Sequence, residues 1–210
     1  MQDTRSAEPR WPGAAAVVAV AVLNWLLPPD LRAGPGWVAV AAVILLEGAA
    51  LILRRRHGVL GYSAAAIATA GLGFALGILI LDLMTHRGTP ADLLRAALLL
   101  WSMNIILFAS WYWRLDGGGP HGRFGKEGYC GGAFLFPQLT LPPHVRREIR
   151  DEGWQPAFVD YLFLAFNTST AFSPTDVPVL SRWAKVLMMI QASISLATLA
   201  MVAARAVNIL

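Results

Sequence analysis

Charged residues are scarce in this sequence, and their scarcity argues against an ordinary soluble domain. Asp, Glu, Lys and Arg make up 14% of the 210 residues, whereas hydrophobic residues make up 56%. Soluble domains carry about a quarter charged residues. The composition therefore predicts an integral membrane protein whose main partner is the lipid bilayer.

Cysteine and recognisable catalytic or metal-binding patterns are also lacking. The single Cys130 excludes an intramolecular disulfide, and the four histidines are scattered without zinc-site spacing. Neither H-E-x-x-H nor G-x-S-x-G occurs, and Gly117-Gly118-Gly119 lacks the Lys-Ser/Thr of a phosphate loop. We therefore expect no metal, no cofactor, no catalytic residue and no enzymatic activity. The net charge is +4, but the basic residues lie mostly between apolar segments rather than along one face. This distribution does not favour nucleic acid as a partner.

Five apolar segments are long enough, or nearly so, to cross a bilayer, which takes about 20 residues of helix. They run from Trp11 to Leu27, Trp37 to Leu53, Val59 to Met84, Ala91 to Trp113, and Arg182 to about Asn208. The sequence thus predicts an all-α, polytopic membrane protein with about five transmembrane helices. It divides into a four-helix region (1–113), a polar loop (114–156) and a C-terminal unit (157–210). Within the loop, the apolar segment 132–137 is too short to span.

Small and aromatic residues predict how two of these helices are placed. Gly73 and Gly77, four residues apart, follow Ala66 and Ala70 on a similar face of the third helix. This spacing lets helices approach closely, and we expect it to serve packing within the chain rather than a dedicated dimer contact. The aromatic residues 111–113 at the end of the fourth helix are typical of the headgroup level.

Among the ionisable residues of the sequence, only Glu47 lies well inside a predicted span. A carboxylate in hydrocarbon is costly, so it should face the bundle or water and have a partner. Ser63, Ser110 and Trp111 lie at a comparable predicted depth. Glu47 is thus either a proton or cation site, as in a proton-coupled transporter, or a protonated acid that makes a structural hydrogen bond.

The C-terminal unit has the layout of a pore loop. An aromatic segment from Phe158 to Ser169 predicts a helix that crosses about half the membrane. A hydroxyl-rich loop and a full apolar helix follow, so we expect the short helix to be re-entrant. The pore-loop candidates are Thr168, Ser169, Thr170, Ala171, Phe172, Ser173 and Asp176. Gln191, Ser195 and Thr198 share one face of the last helix, where they line water or the back of the pore loop, or make helix–helix hydrogen bonds.

This layout resembles the two-transmembrane-helix potassium channels over about 50 residues, from Asp160 to Asn208. In those channels a half-helix precedes the filter T-x-G-Y/F-G-D. Here Ala171 and Ser173 take the two glycine positions, and Pro174 takes that of the aspartate. A filter that points successive carbonyls inward needs backbone at positive φ, which costs Ala or Ser on the order of 1–2 kcal/mol. The resemblance therefore implies a degenerate pore loop that does not select potassium.

Most of the chain is similar to a broad bacterial family of uncharacterised integral membrane proteins with four helices, a degenerate channel-like pore loop and a last helix. The similarity lies in the aromatic end of the fourth helix, the half-helix from Asp160, the loop 168–176 and the Ser181-Arg182 start of the last helix. The family has no established activity to carry over. From the half-helix, the hydroxyl-rich loop and the last helix we expect a channel-like protein of the bacterial inner membrane, a homo-oligomer that is a tetramer if a central pore exists, with monovalent cations as ligands. A non-conducting scaffold or accessory subunit is the alternative.

The distribution of basic residues predicts the orientation. With the N-terminus in the cytoplasm and a re-entrant segment, thirteen of the 17 lysines and arginines lie inside, which agrees with the positive-inside rule. The pore loop then enters from the cytoplasmic side, whereas that of potassium channels enters from outside. The alternative is that the segment from Phe158 to Phe172 crosses, which gives six spans.

Overall fold

The computed structural model describes residues 9, 11–32, 34–52, 57–85, 89–124, 132–142, 144–145, 154–170 and 176–207. Within these ranges the chain is helical and contains no β-strand, which confirms the predicted all-α class. The helices are α1 (Trp11–Leu26), α2 (Gly36–Ile52), α3 (His57–Thr85), α4 (Pro90–Leu115), α5 (Gly119–Phe124), α6 (Pro137–Thr140), α7 (Phe158–Thr170) and α8 (Arg182–Val207). The five long helices match the predicted apolar segments to within about two residues at each end.

Three of these helices are long and apolar enough to cross a membrane, with spans at Val59–Asp82, Ala91–Gly118 and Arg182–Ala203. This is compatible with an integral membrane protein. Helices α1 and α2 are apolar but have 16 and 17 residues, so each is about 25 Å long at 1.5 Å per residue. A hydrocarbon core is about 30 Å thick, so these two helices fall slightly short of it.

Helix α4 is the centre of the structure because it belongs to both hydrophobic cores. Its residues Leu100 and Leu107 pack with α1, α2 and α3 in the first core. Its residues Phe108 and Tyr112 pack with α7, α8 and the segment 133–136 in the second. Of the three long apolar spans, that of α4 is the most buried. It therefore joins the N-terminal bundle to the C-terminal unit.

Part of the predicted polar loop folds back onto the bundle at the end of α4. Gly117, Gly118 and Gly119 have φ of 58°, 80° and 79°, which glycine adopts at no steric cost. This turn leads into α5, whose Arg123 donates to the carbonyls of Trp113 (2.8 Å) and Asp116 (2.9 Å). The first residues of the loop are thus part of the packed structure.

Two of the sequence predictions about side-chain placement are wrong. Gly73 and Gly77 are exposed, and a Cβ built on either would meet no atom within 4 Å, so they pack against none of the other described helices. Tyr112 and Trp113 are fully buried rather than at a headgroup surface. Both errors concern which way a helix face points, because the segment 132–136 and α7 cover the end of α4, whereas no described residue covers this face of α3.

Candidate functional site

Helix α7 starts at the C-terminal end of α4 and runs back along it. The carboxylate of Asp160 accepts from the backbone N–H of Ala157 at 2.8 Å and so caps the first turn. The Phe158 ring lies 5.9 Å from that of Trp113, and the Phe166 ring lies 6.0 Å from that of Trp101. Because later residues of α7 contact earlier residues of α4, the two helices are antiparallel. Thirteen residues give α7 a length of about 20 Å.

Helix α8 starts at the same end and runs parallel to α7. Ser181 caps it, since its hydroxyl accepts from the backbone N–H of Ala184 at 3.3 Å. The C-terminal end of α7 meets α8 at Gln191 and Ser195, near the middle of that 26-residue helix. Helix α7 therefore ends about halfway along its longer neighbour.

The chain after α7 returns to the end where α7 started. Val179 forms an isolated antiparallel bridge with Phe134, in which Leu135 N–H donates to the Pro178 carbonyl at 2.9 Å and Leu180 N–H donates to the Ala133 carbonyl at 2.7 Å. The buried Phe134 ring also contacts Tyr161 in the first turn of α7 and Trp183 in the first turn of α8. The start of α7, residues 178–180 and the start of α8 thus lie side by side.

Gln191 is the centre of the hydrogen bonds that hold α7 in place, and its side chain is fully buried. Its Nε2 donates to the Ala165 carbonyl (2.7 Å) and to the Ser169 hydroxyl (2.9 Å). Its Oε1 accepts from the Tyr112 hydroxyl at 2.5 Å, and its backbone carbonyl accepts from Asn104 Nδ2 at 3.1 Å. One side chain of α8 therefore connects α7 to α4.

The other two residues of the polar face of α8 have different roles. The Ser195 hydroxyl donates to the Ser169 carbonyl at 2.6 Å, so it binds one of the last carbonyls of α7, which lack partners within their own helix. The Thr198 hydroxyl is buried but donates to the Ile194 and Ser195 carbonyls of its own helix. Gln191 and Ser195 thus bind the back of α7, while the Thr198 hydroxyl bonds within α8.

The predicted pore-loop residues fall into three groups. Thr168 and Thr170 lie in the last turn of α7, where their hydroxyls donate to the carbonyls four residues earlier; Ser169 between them is buried. Asp176 is exposed on the returning segment. The candidates Ala171, Phe172 and Ser173 lie outside the described residues. Of the whole set, the structure brings Ser169 together with the predicted face of α8.

Two buried polar atoms of α4 remain open beside this junction. Asn104 Oδ1 and Trp101 Nε1 have no hydrogen-bond partner within the described structure, although Asn104 is fully buried. They lie one helical turn apart, and their side chains face Gln191 and Phe166 respectively. Two polar groups of α4 beside the junction with α7 and α8 are therefore not satisfied within the described structure.

Glu47 belongs to a separate cluster between α2, α3 and α4. Its Oε1 accepts from Arg114 Nη2 at 2.6 Å, and Arg114 Nε donates to the Ser110 hydroxyl at 3.1 Å. The Glu47 and Arg114 side chains are 5% and 7% exposed, so this is a buried ion pair. Gly61 makes room for it, because a Cβ there would lie 2.0 Å from Arg114 Nη1. Ser63, by contrast, donates to the Val59 carbonyl of its own helix.

A second cluster of buried charged residues lies at the end of α4. The carboxylate of Asp116 accepts from the Ala133 N–H (2.5 Å) and from the Tyr161 hydroxyl (2.6 Å). Arg123 lies over the Tyr161 ring, with its guanidinium carbon 5.1 Å from the ring centre. Asp116 thus fastens both the segment 132–136 and the first turn of α7 to α4.

Comparisons with protein-family models, with curated proteins and with solved structures found no match to this chain. The described residues contain no group of three or more His, Cys, Asp or Glu side chains that could hold a metal ion. The function therefore has to be argued from the geometry of α4, α7 and α8.

Sequence reasoning missed four residues of these clusters, namely Asn104, Tyr112, Arg114 and Asp116. Asn104 carried a detectable signal, because an amide in the middle of an apolar span needs a hydrogen-bond partner. Arg114 carried a weaker one, since it stands four residues after Ser110 at a depth similar to that of Glu47. Nothing in the sequence near Asp116 distinguishes it from a solvated loop residue.

Proposed function

We propose that this chain is a channel-like membrane protein in which α7 and the returning segment 176–181 belong to a re-entrant unit, and that several copies assemble around a shared path for monovalent cations. One observation carries the proposal. The C-terminal end of α7 lies beside the middle of α8, whereas residues 178–180 lie beside the start of α7. A half-helix that enters and a segment that returns to the same end is the arrangement of a pore loop.

The chemistry of a bilayer supports a polar environment for this unit. Non-helical backbone at membrane depth persists where protein or water satisfies its polar groups. Within the chain, Gln191 and Ser195 already bind the back of α7. The front of α7 presents Thr170 and Phe166, both exposed. We infer that a second copy and an aqueous path complete this front face.

We expect the path to conduct monovalent cations and to discriminate little between them. The C-terminal end of a helix carries partial negative charge, and in α7 it is directed towards the middle of the membrane, where a cation would be stabilised. The last turn of α7 offers the exposed Thr170 hydroxyl, and the sequence after it has Ala171 and Ser173 where a potassium filter has glycine. We therefore expect sodium and potassium to pass at similar rates.

Flux through purified protein in liposomes tests the proposal. Monovalent cation flux above that of empty liposomes, with a sodium-to-potassium ratio near one, is the expected result. The Thr170→Val variant, which removes an exposed hydroxyl while keeping its shape, should reduce the flux, and Ser193→Ala on the exposed face of α8 should not. Absence of flux at every gradient and voltage would contradict the proposal.

A non-conducting scaffold is the second candidate, and the closed hydrogen bonding around Gln191 favours it. The Gln191 side chain finds all its partners within one chain and so needs no aqueous path. The scaffold predicts a monomer or dimer in mild detergent, whereas the channel predicts a larger ring, fourfold if a central pore exists. Mass measurement of the detergent-solubilised particle separates the two.

Proton-coupled transport through Glu47 is the third candidate. The ion pair with Arg114 gives this acid a structural partner, so protonation during transport would leave a buried arginine uncompensated. We therefore favour a structural role for Glu47. Transport by folded protein that is lost in Glu47→Gln while the thermal stability is retained would favour the transporter instead.

The re-entrant arrangement has its own test in cysteine labelling. In a Cys130→Ala background, His144→Cys in the loop and Arg205→Cys near the end of α8 should react with a membrane-impermeant reagent from opposite sides. Reaction of both from the same side would indicate that α7 crosses the membrane and that the chain has six spans.

A further inference from the structure

An apolar groove lies on the surface of the N-terminal bundle, away from α7 and α8. It has a volume of about 520 Å³ and is lined by thirteen residues, twelve of them from α1, α2 and α3 and one, Met103, from α4. Six of the thirteen are alanine or glycine, among them Ala39, Ala42 and Gly71. Ile67 and Phe74 at its rim are 44% and 46% exposed, so the groove opens on the outer face of the bundle. The volume is typical of sites that enclose a small molecule.

The chemistry of this groove points to a hydrocarbon chain. Asn24, in the last turns of α1, is the polar member of its lining. The helices around it are the apolar ones that a bilayer would surround, so the molecules that reach the opening are lipids. An acyl chain fills an apolar groove without leaving a polar group unpaired.

Arg32 lies in the turn between α1 and α2, at the end of the bundle where Asn24 and Val38 line the groove. A Cβ built on Gly36, the first residue of α2, would lie 2.6 Å from Arg32 Nη1 and 2.6 Å from the Trp25 ring, and Trp25 directly follows Asn24. Within the described part of the chain, Arg32 Nε is buried without a hydrogen-bond partner, and no ion pair joins Arg32 to Asp30 two residues earlier. The residue as a whole is partly exposed, so its unpaired positive charge beside Trp25 is suited to a phosphate at the membrane surface.

We propose that this groove binds an anionic phospholipid, with one acyl chain between α1, α2 and α3 and the headgroup phosphate on Arg32. The charge of Arg32 complements the phosphate, and the apolar groove accounts for the chain. Arg32 sets the preference for an anionic headgroup, and the groove sets the requirement for a long chain.

Native mass spectrometry of the full chain, released from detergent after titration with phosphatidylglycerol or phosphatidylcholine, tests this proposal. The unmodified protein should retain phosphatidylglycerol preferentially. Arg32→Gln should weaken its binding about fivefold, which corresponds to one basic side chain at an anionic membrane surface, and should leave phosphatidylcholine unchanged. Arg95→Gln, an exposed arginine of α4, is the matched control and should change neither.

Filling the groove tests the acyl-chain half of the site. Ala42→Phe should lower retention of both lipids, and Ala39→Leu serves the same purpose if the larger ring prevents folding. Inorganic phosphate should neither displace the lipid nor raise the melting temperature. Equal retention of the two lipids, an effect of Arg95→Gln as large as that of Arg32→Gln, or displacement by phosphate alone would overturn the proposal.

Discussion

Replacing Gln191 by leucine should detach the end of α7 from the rest of the structure. Leucine is close to glutamine in size, so the packing of α8 is largely retained while the side-chain hydrogen bonds are lost. Three bonds disappear, to the Ala165 carbonyl, the Ser169 hydroxyl and the Tyr112 hydroxyl. The variant therefore isolates the contribution of polar contacts to holding the half-helix.

The expected magnitude follows from these contacts. Side-chain hydrogen bonds between membrane helices contribute about 0.6 kcal/mol each, so three give roughly 2 kcal/mol. The Tyr112 side chain is fully buried, so its hydroxyl loses its partner without gaining water, which costs about 1 kcal/mol more. Gln191→Leu should thus lower the free energy of unfolding by roughly 2–3 kcal/mol. Ser193→Leu is the control, because Ser193 is exposed and bonds within its own helix, and it should change little.

A double-mutant cycle with Tyr112→Phe measures the central bond. Alone, Tyr112→Phe should cost about 1 kcal/mol in detergent unfolding followed by tryptophan fluorescence. In the Gln191→Leu background it removes a hydroxyl that already lacks a partner, so it should cost nothing or stabilise. Hydrogen exchange should be faster in residues 165–170 of Gln191→Leu and unchanged in α3. Additive costs in the cycle, or unchanged exchange in α7, would refute the role of Gln191.

Two further substitutions test the bundle. Gly13→Ala places a Cβ 2.3 Å from the buried Trp113 ring and should lower the free energy of unfolding by about 1–3 kcal/mol through overpacking. The control Gly73→Ala meets no atom and should be neutral or slightly stabilising. Thermal unfolding compares the two variants, and equal melting temperatures would contradict the packing of Gly13 against Trp113. Glu47→Gln leaves Arg114 buried without its carboxylate partner and should lower the free energy of unfolding by about 3–5 kcal/mol. Adding Arg114→Met removes the unpaired charge and should recover part of that loss. A double variant less stable than either single variant would exclude the unpaired arginine charge as the cause.

The helices themselves were predictable because their signals are local. The capping residues Thr89 and Ser181 precede apolar segments, and the observed helices α4 and α8 begin directly after them. The short helix from Phe158 was predictable for the same reason, since an apolar aromatic segment of that length is followed by a hydroxyl-rich loop. Length and apolarity of each segment are properties of neighbouring residues, so a sequence reveals them.

The direction of each helix face was much less predictable. The polar face of α8 could be identified from its spacing, but its target on α7 depends on how two helices lie side by side. Gly73 and Gly77 illustrate the same difficulty, since small residues favour close contact without specifying whether the contact is within the chain or outside it. Spacing along one helix identifies a face but not the surface that covers it.

The charged clusters were the least predictable part. Glu47 needed a partner, yet Arg114 is 67 residues away in the sequence and follows an aromatic stretch that suggests a membrane surface. Asp116 stands beside three glycines in a stretch with loop composition, and it is buried because the segment 132–136 and α7 converge on it. Long-range contacts of this kind arise from the three-dimensional arrangement of α4 with its neighbours.

Water accessibility at the end of α7 tests the central claim most directly. In a Cys130→Ala background in liposomes, Thr170→Cys should react with a small, water-soluble thiol reagent, and the reaction should block cation flux. Ser193→Cys, exposed on α8 at a comparable depth, should remain unreactive because it faces lipid. Equal protection of both cysteines, or labelling of Thr170→Cys without any effect on flux, would contradict an aqueous path at the end of the half-helix.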